Sequence, residues 1–138
     1  MTPLKRRENQ RKNQDYFSEK ISELCRYIGF GTVAAAFSLF SDNGDFAHQL
    51  IKRSDSLLGW SAVTACIALL LDYLQMVAGY WSAADAAENE VNGFCRSKFG
   101  NLASKIQRIC FTAKQPLAAA GGILLVVAIA RYLPLPWK

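Results

Sequence analysis

Three apolar blocks separated by strongly polar segments constrain the fold of this 138-residue chain more than any other feature. They fall at about 27–40, 57–81 and 115–131. The middle block exceeds the ~20 residues of helix that cross a bilayer, whereas the first is shorter. A soluble bundle needs a polar stripe along each helix, and the stretch CIALLLDYLQMVAGYW has none wide enough to face water. The sequence therefore predicts an all-α integral membrane protein with three transmembrane helices.

Basic residues at the ends of the blocks support this topology. Arg26 precedes the first block, Lys114 precedes the third and Arg131 follows it, and we expect their side chains to snorkel to the membrane interface. With three spans, one side of the membrane carries twelve Lys and Arg residues and the other carries four. The positive-inside rule then places the protein in the plasma (inner) membrane with a cytoplasmic N-terminus and an outer C-terminus at Lys138.

The polar segments divide the chain around these spans. We expect a basic arm and an amphipathic helix in residues 1–26, a three-span membrane domain in 27–133 and an outer tail in 134–138. Residues 41–56 form the outer loop, with the second helix starting near Asp55 or Ser56. Residues 82–114 form a cytoplasmic helical hairpin, after which Pro116 breaks or kinks the chain. The N-terminal helix, the end of the second helix and the approach to the third make a small, basic cytoplasmic annex. Its helices either only pack together at the level of the headgroups, or their basic residues bind an anionic ligand or partner.

One acidic residue, Asp72, lies near the middle of the second span. An ionised carboxylate facing lipid there costs about 2.5–3.5 kcal/mol, so Asp72 is expected to face protein or water. Small and polar residues share its helix face at helical spacing, while leucine and isoleucine occupy the opposite face. The candidate pore-lining residues on this stripe are Ser61, Thr64, Ala68, Asp72, Gln75 and Gly79. In a homo-oligomeric ring, Asp72 and Gln75 would line a cation-favouring constriction.

Other interpretations of Asp72 stay open. In one alternative, the Asp72 carboxyl group is protonated. In another, it is hydrogen-bonded to a Tyr, Thr or Arg side chain across a helix interface and joins the helices. The protein is then a non-conducting membrane scaffold or anchor that recruits a soluble partner. A holin-like permeabilising protein and a proton-coupled carrier subunit are further alternatives.

Residues for catalysis or metal binding are missing from the pattern. No nucleophile motif, phosphate loop, CxxC pair or metal-ligand spacing occurs in the sequence, and the lone His48 lies in the outer loop. We therefore predict that the chain is not an enzyme and carries no cofactor or metal.

The overall plan resembles the small multi-span membrane effectors of bacterial nucleotide-signalling anti-phage defence, such as SLATT-type proteins and the membrane component of Hailong systems. The stretches YFSEKISELCRYIGF, SAADAAENEVNG and RSKFGNLASKIQR carry the resemblance. It implies a growth-arresting pore gated by a nucleotide or short oligonucleotide at the cytoplasmic side, with a possible soluble signalling partner. The basic residues implied as ligand contacts are Arg6, Arg7, Arg96, Lys98, Lys105 and Arg108.

Overall fold

The chain folds as three long helices. The computed structural model describes residues 3–41, 44–88 and 97–132. Within them, α1 covers Pro3–Ser41, α2 covers Asp45–Glu88 and α3 covers Lys98–Tyr132. The all-α prediction is confirmed for these residues, whose regular elements are all helices.

Each helix contains a stretch that is long and apolar enough to cross a membrane. These stretches are Asp15–Ser41, Ser56–Glu88 and Lys98–Arg131. The prediction of three helices capable of spanning a bilayer is thus confirmed. Each stretch begins or ends well outside the apolar block that defined it, because the helix continues through the amphipathic segments on one side.

Small residues allow these helices to approach one another closely. Ala36, Ala65, Ala118 and Ala128 are buried where the helices meet, and α3 packs mainly on α2. A Cβ atom added at Gly121 would lie 3.2 Å from the backbone oxygen of Ser61 and 3.3 Å from the nitrogen of Ala65. Small residues are favoured at helix interfaces in lipid for this reason.

The predicted outer loop is helical over most of its length. Residues 45–53 form the start of α2, and non-helical backbone appears only at Ser54, with φ of −138° and ψ of 22°. Ala47 and Leu50 are fully buried, and Leu50 packs in one cluster with Leu58 and Ala128. Burial of the apolar side chains stabilises this amphipathic helical segment, although its polar composition predicted a loop. Residues 42 and 43 of the predicted outer loop lie outside the described residues.

Of the two outcomes predicted at Pro116, a break does not occur, and a kink stays a prediction. The helix α3 continues through Pro116 from Lys98 to Tyr132. Proline removes one backbone donor, and helices in membranes tolerate this when neighbouring groups satisfy the freed carbonyl.

A side-chain cap joins α2 to the start of α3. Asp85 on α2 accepts hydrogen bonds from the Ser97 backbone nitrogen at 2.7 Å and from the Ser97 hydroxyl at 2.5 Å. The Ser97 hydroxyl in turn accepts a hydrogen bond from the Gly100 nitrogen at 3.2 Å. The Gly100 N–H at the beginning of α3 is therefore satisfied by the Ser97 hydroxyl, and Ser97 is in turn held by Asp85 of the neighbouring helix.

Gly100→Ala is expected to destabilise the fold by about 1–2 kcal/mol, the usual cost of losing a helix cap. An added Cβ at residue 100 would lie 2.1 Å from Asp85 Oδ2 and 2.7 Å from its Cγ, so Asp85 must move away from Ser97. Gly59→Ala is the matched control, since a Cβ there meets nothing within 4 Å. Thermal unfolding of the purified protein in detergent, followed by far-UV circular dichroism, measures both. Equal melting temperatures for the two variants would contradict the role of the cap.

Candidate functional site

Three charged side chains, one from each helix, meet inside the bundle. Arg26 on α1 donates from Nε to Asp72 Oδ2 on α2 at 2.6 Å. Lys114 on α3 donates from Nζ to the other carboxylate oxygen of Asp72. We name Arg26, Asp72 and Lys114 the ion cluster. With all three groups ionised it carries one excess positive charge.

Lys114 is the most deeply buried member of the ion cluster. Its residue is 0% exposed, Asp72 is 6% exposed, and the Arg26 side chain is 42% exposed. Lys114 Nζ also donates to the Ser22 hydroxyl at 2.8 Å and lies 5.5 Å from the centroid of the Phe111 ring. A buried ammonium requires such partners, because its desolvation cost is several kcal/mol.

The expectation of snorkelling is wrong for Lys114, which is fully buried, and stays a prediction for Arg26, whose side chain is 42% exposed. Both side chains turn to Asp72. The carboxylate offers a partner at the same level of the bundle, and pairing there removes the cost of leaving Asp72 alone in an apolar setting. The interpretation in which Asp72 bonds to an arginine across a helix interface describes the contacts found in this chain.

The predicted polar stripe of α2 faces the other two helices. Ser61, Ala68 and Asp72 are buried. The Ser61 hydroxyl donates to the Leu58 carbonyl at 2.8 Å, and the Thr64 hydroxyl donates to the carbonyls of Trp60 and Ser61. Thr64 would contact a Cβ atom at Gly121, and Gly79 lies against the Gln107 side chain. These contacts form within one chain, and pore lining by the stripe stays a prediction.

Gln75, the next polar residue of the stripe after Asp72, has an unsatisfied group. Its Oε1 atom is buried and accepts no hydrogen bond from the described residues. A buried acceptor without a donor costs about 1–3 kcal/mol. The same residue lines a cleft, so a water or ligand entering there has an acceptor available to it.

A polar cleft of ≈ 820 Å³ lies between α1 and α3, with Gln75 of α2 at its back. Its α1 wall follows helical spacing, and residues from α3 face that wall. The residues that line it are Asp15, Ser18, Glu19, Lys20, Ser22, Glu23, Arg26, Tyr27, Gln75, Ser104, Gln107, Arg108 and Phe111. Arg26 belongs to both the cleft and the ion cluster, so the cleft extends from the N-terminal part of α1 to the buried charges.

The two helices that form the cleft have polar inner faces and apolar outer faces. On α1, Phe17, Ile21 and Leu24 are exposed on the side opposite the cleft. On α3, Leu102 and Ile109 are exposed in the same way. A soluble helical hairpin has the reverse arrangement, with apolar residues inside and polar residues outside. This polarity is the one that a bilayer selects around a water-filled cavity.

The basic residues predicted as ligand contacts separate into two groups. Lys98, Lys105 and Arg108 are exposed on α3, and of these only Arg108 lines the cleft. Arg96 and the side chains of Arg6 and Arg7 lie outside the described residues. The structure thus places Arg108 and Arg26 of the ion cluster in the lining of one cleft, a juxtaposition that the sequence analysis did not predict.

Sequence reasoning allowed an arginine as the partner of Asp72 but did not identify Arg26, and it missed Lys114 as the second partner and Ser22 as the residue that accepts from Lys114. The sequence did contain an indication of these ion pairs. Asp72 is a single carboxylate within the second span, and a basic residue, Arg26 or Lys114, precedes each of the other spans. Among the described residues no group of three or more His, Cys, Asp or Glu side chains is placed to hold a metal ion.

Comparison with known proteins gives no further constraint on the site. No protein-family model, no curated protein and no solved structure matches this chain.

Proposed function

We propose that this protein is the subunit of a homo-oligomeric membrane channel or pore, in which the polar cleft is the cytoplasmic vestibule and Asp72 and Gln75 line the path beyond it. The observation that carries this proposal is the continuity of the cleft with the ion cluster through Arg26. Ionisable residues within spans are costly and characteristically mark ion pathways. A protein that only joins helices has no need of a polar cleft leading to them.

The ion cluster acts in this proposal as a lock on the closed state. Asp72 is paired with Arg26 and Lys114, so its charge is compensated and the three helices are held together. Beyond the cluster, the helices are in close contact around Gly121 and the buried alanines. Opening then requires Asp72 to leave at least one cationic partner and face the path, where an acidic ring favours cations.

Oligomerisation supplies the walls that one chain lacks. The cleft has walls from α1 and α3, and α2 contributes only Gln75 among its described lining residues. A closed ring of copies surrounds a shared path in a way that three helices cannot, and cyclic symmetry allows any such ring.

Ion flux through liposomes containing the purified protein tests the proposal. Asp72→Asn is expected to change cation flux several-fold and to shift permeability toward anions, because Arg26 and Lys114 are left without their counter-charge. Gln75→Leu, which leaves the ion cluster intact, is expected to lower flux by placing an apolar group on the path. Lys52→Gln, an exposed position of α2 outside the cleft, is the control and should behave like the wild type. Identical flux from all four proteins would exclude a path past residue 72.

The basic face of α3 supports an anionic ligand as the trigger. Lys98, Lys105 and Arg108 are exposed on this helix, and the resemblance to nucleotide-signalling effectors suggests a nucleotide or short oligonucleotide. Binding at this face would draw α3, and with it Lys114, away from Asp72. Addition of such a ligand to the liposomes should change flux in the wild type and less in Lys98→Gln/Lys105→Gln/Arg108→Gln.

A non-conducting scaffold is the second candidate. The observation that favours it is that the α2 stripe, apart from the unsatisfied Oε1 of Gln75, is used in contacts within the chain. In that case an intact oligomer shows no flux under any condition, and Asp72 serves only to hold the three helices in register.

A further inference from the structure

Exposed aromatic side chains from all three helices surround the end of the bundle that contains the cleft. Tyr16 and Phe17 of α1 form an edge-to-face pair. Trp81 of α2 makes edge contacts with its neighbour Tyr80, at 5.9 Å between ring centroids, and with Phe99 of α3, at 6.3 Å. All five side chains are exposed, and we name them the inner belt. Tyrosine and tryptophan are enriched where a membrane meets water, so the inner belt marks the level of one membrane interface.

A second exposed tryptophan on α2 marks the level of the other interface. Trp60 is exposed and lies twenty-one residues before Trp81 on the same helix, which corresponds to about 31 Å of helical rise. The hydrocarbon core of a bilayer is about 30 Å thick. Asp72 lies between the two rings, twelve residues from Trp60 and nine from Trp81. The two tryptophans are therefore one hydrocarbon core apart, with the ion cluster near the midplane.

The other two helices give the same midplane. Arg26 of α1 lies nine residues after Phe17 of the inner belt, the same count that separates Asp72 from Trp81. Lys114 lies sixteen residues after the start and seventeen before the end of the apolar stretch Lys98–Arg131. Each helix therefore places its member of the ion cluster at the middle of the slab that the aromatic residues define.

The charged side chains within this slab are segregated from its outer surface. On α1 they all line the cleft, and they are Glu19, Lys20, Glu23 and Arg26. On α2 the charged residue between the two tryptophans is Asp72. On α3, Arg108 lines the cleft and Lys114 belongs to the ion cluster. Lys105 lies nine residues before Lys114, at the level of the inner belt, where a lysine side chain reaches the headgroups. A surrounding layer of acyl chains requires this segregation.

The outer faces at the level of the cleft are apolar on all three helices. The exposed side chains that α1, α2 and α3 present there are Ile21, Leu24, Leu74, Ile106 and Ile109. Water around these faces leaves their apolar area unburied, whereas acyl chains cover it without requiring a protein partner.

We propose that the bilayer is centred on the ion cluster, with its hydrocarbon core between the inner belt and Trp60, so that acyl chains cover the outer faces of residues 17–26 and 105–113. The cleft then lies within the leaflet at that end of the bundle. The apolar blocks of the sequence predict a different position, with a third span at 115–131 centred near Ile123 and residues 82–114 outside the membrane. The inference does not require that the protein conducts ions.

Spin labels on single cysteines measure the position of the bilayer. The full chain, with its four natural cysteines replaced by alanine, is reconstituted in phosphatidylcholine vesicles. Collisions with oxygen, which concentrates in lipid, and with a water-soluble nickel chelate give the depth of each label. Ile106 and Ile123 are exposed and lie eight residues before and nine residues after Lys114. Ile106→Cys and Ile123→Cys should therefore have equal depths to within one helical turn, about 5 Å.

Two further positions complete the depth profile. Ile109→Cys, five residues from Lys114, should lie deeper than both Ile106→Cys and Ile123→Cys. Leu70→Cys is the control, because Leu70 is exposed two residues from Asp72 and is deep in the membrane in either position of the bilayer.

Two results would overturn the proposal. In the first, the nickel chelate reaches Ile106→Cys and Ile109→Cys while Ile123→Cys is as deep as Leu70→Cys, which places the cleft outside the membrane; Ile106 is then about 25 Å further from the midplane than Ile123. In the second, Ile106→Cys and Ile109→Cys are shielded from both reagents, which shows that another copy of the chain covers this face. None of these measurements depends on ion flux, so the bilayer position and the channel can fail separately.

Discussion

Asp72→Asn destabilises the folded chain by about 3–5 kcal/mol, the range for removing one partner of a buried ion pair. The cost arises mainly at Lys114, which is fully buried and would keep only the Ser22 hydroxyl and the Phe111 ring as partners. Arg26 contributes less, because its side chain is 42% exposed and water compensates for its lost partner.

A double-variant cycle separates this effect from a general loss of packing. Lys114→Met alone keeps the Arg26 pair with Asp72 and replaces a buried ammonium with an apolar chain of similar length, so its cost is smaller. Asp72→Asn/Lys114→Met leaves no uncompensated buried charge and should recover most of the stability lost in Asp72→Asn. The loss in free energy of unfolding should therefore be smaller in the double variant than the sum of the losses in the two single variants.

Unfolding in a denaturing detergent, followed by circular dichroism, measures the cycle. Asp45→Asn is the matched control, since Asp45 is an exposed carboxylate in the first turn of α2 and its loss costs about 0.3–1 kcal/mol. Equal losses in Asp45→Asn and Asp72→Asn, or additive effects of Asp72→Asn and Lys114→Met, would show that the ion cluster does not hold the bundle together.

The helices themselves could be predicted from the sequence, since the apolar blocks, their length and the helical spacing of Phe17, Ile21 and Leu24 depend on local pattern alone. The helical turn at 45–53 could not, because its stability comes from packing Leu50 against Leu58 and Ala128. Continuation through Pro116 likewise depends on neighbouring helices, which decide whether a lost backbone bond is tolerated.

Only part of the candidate site could be predicted from the sequence. The cost of an ionised Asp72 in lipid predicts that it faces protein or water, but it does not identify the partner. Whether Arg26 and Lys114 snorkel or pair with Asp72 depends on the relative depth of the three residues. That depth is set by the axial register of the three helices. The same axial register places the polar faces of α1 and α3 opposite each other, and the cleft lies between them.

We expect cysteines on the inner face of the cleft helices to react with a thiol reagent more than an order of magnitude faster than cysteines on the outer face. Gln107 lines the cleft, whereas Ile109, two residues further along α3, is 65% exposed on the opposite face. In a chain whose four natural cysteines are replaced by alanine, a charged, membrane-impermeant thiol reagent should modify Gln107→Cys rapidly and Ile109→Cys very slowly. The reactive species is the thiolate, which water supports and lipid suppresses.

The same comparison on α1 decides where the amphipathic segments lie. Glu19 lines the cleft and Phe17 is 60% exposed on the other face, so Glu19→Cys and Phe17→Cys form a second matched pair. If these segments were a cytoplasmic annex surrounded by water, the outer positions would react at least as fast as the inner ones, because they are the more exposed. Fast labelling of the inner pair with protection of the outer pair requires lipid or a neighbouring subunit around the apolar faces and water within the cleft. That result would place water in the cleft at the level of Glu19 and Gln107, about two helical turns from the ion cluster, which is the physical condition for any ion to approach the ion cluster from this end of the bundle.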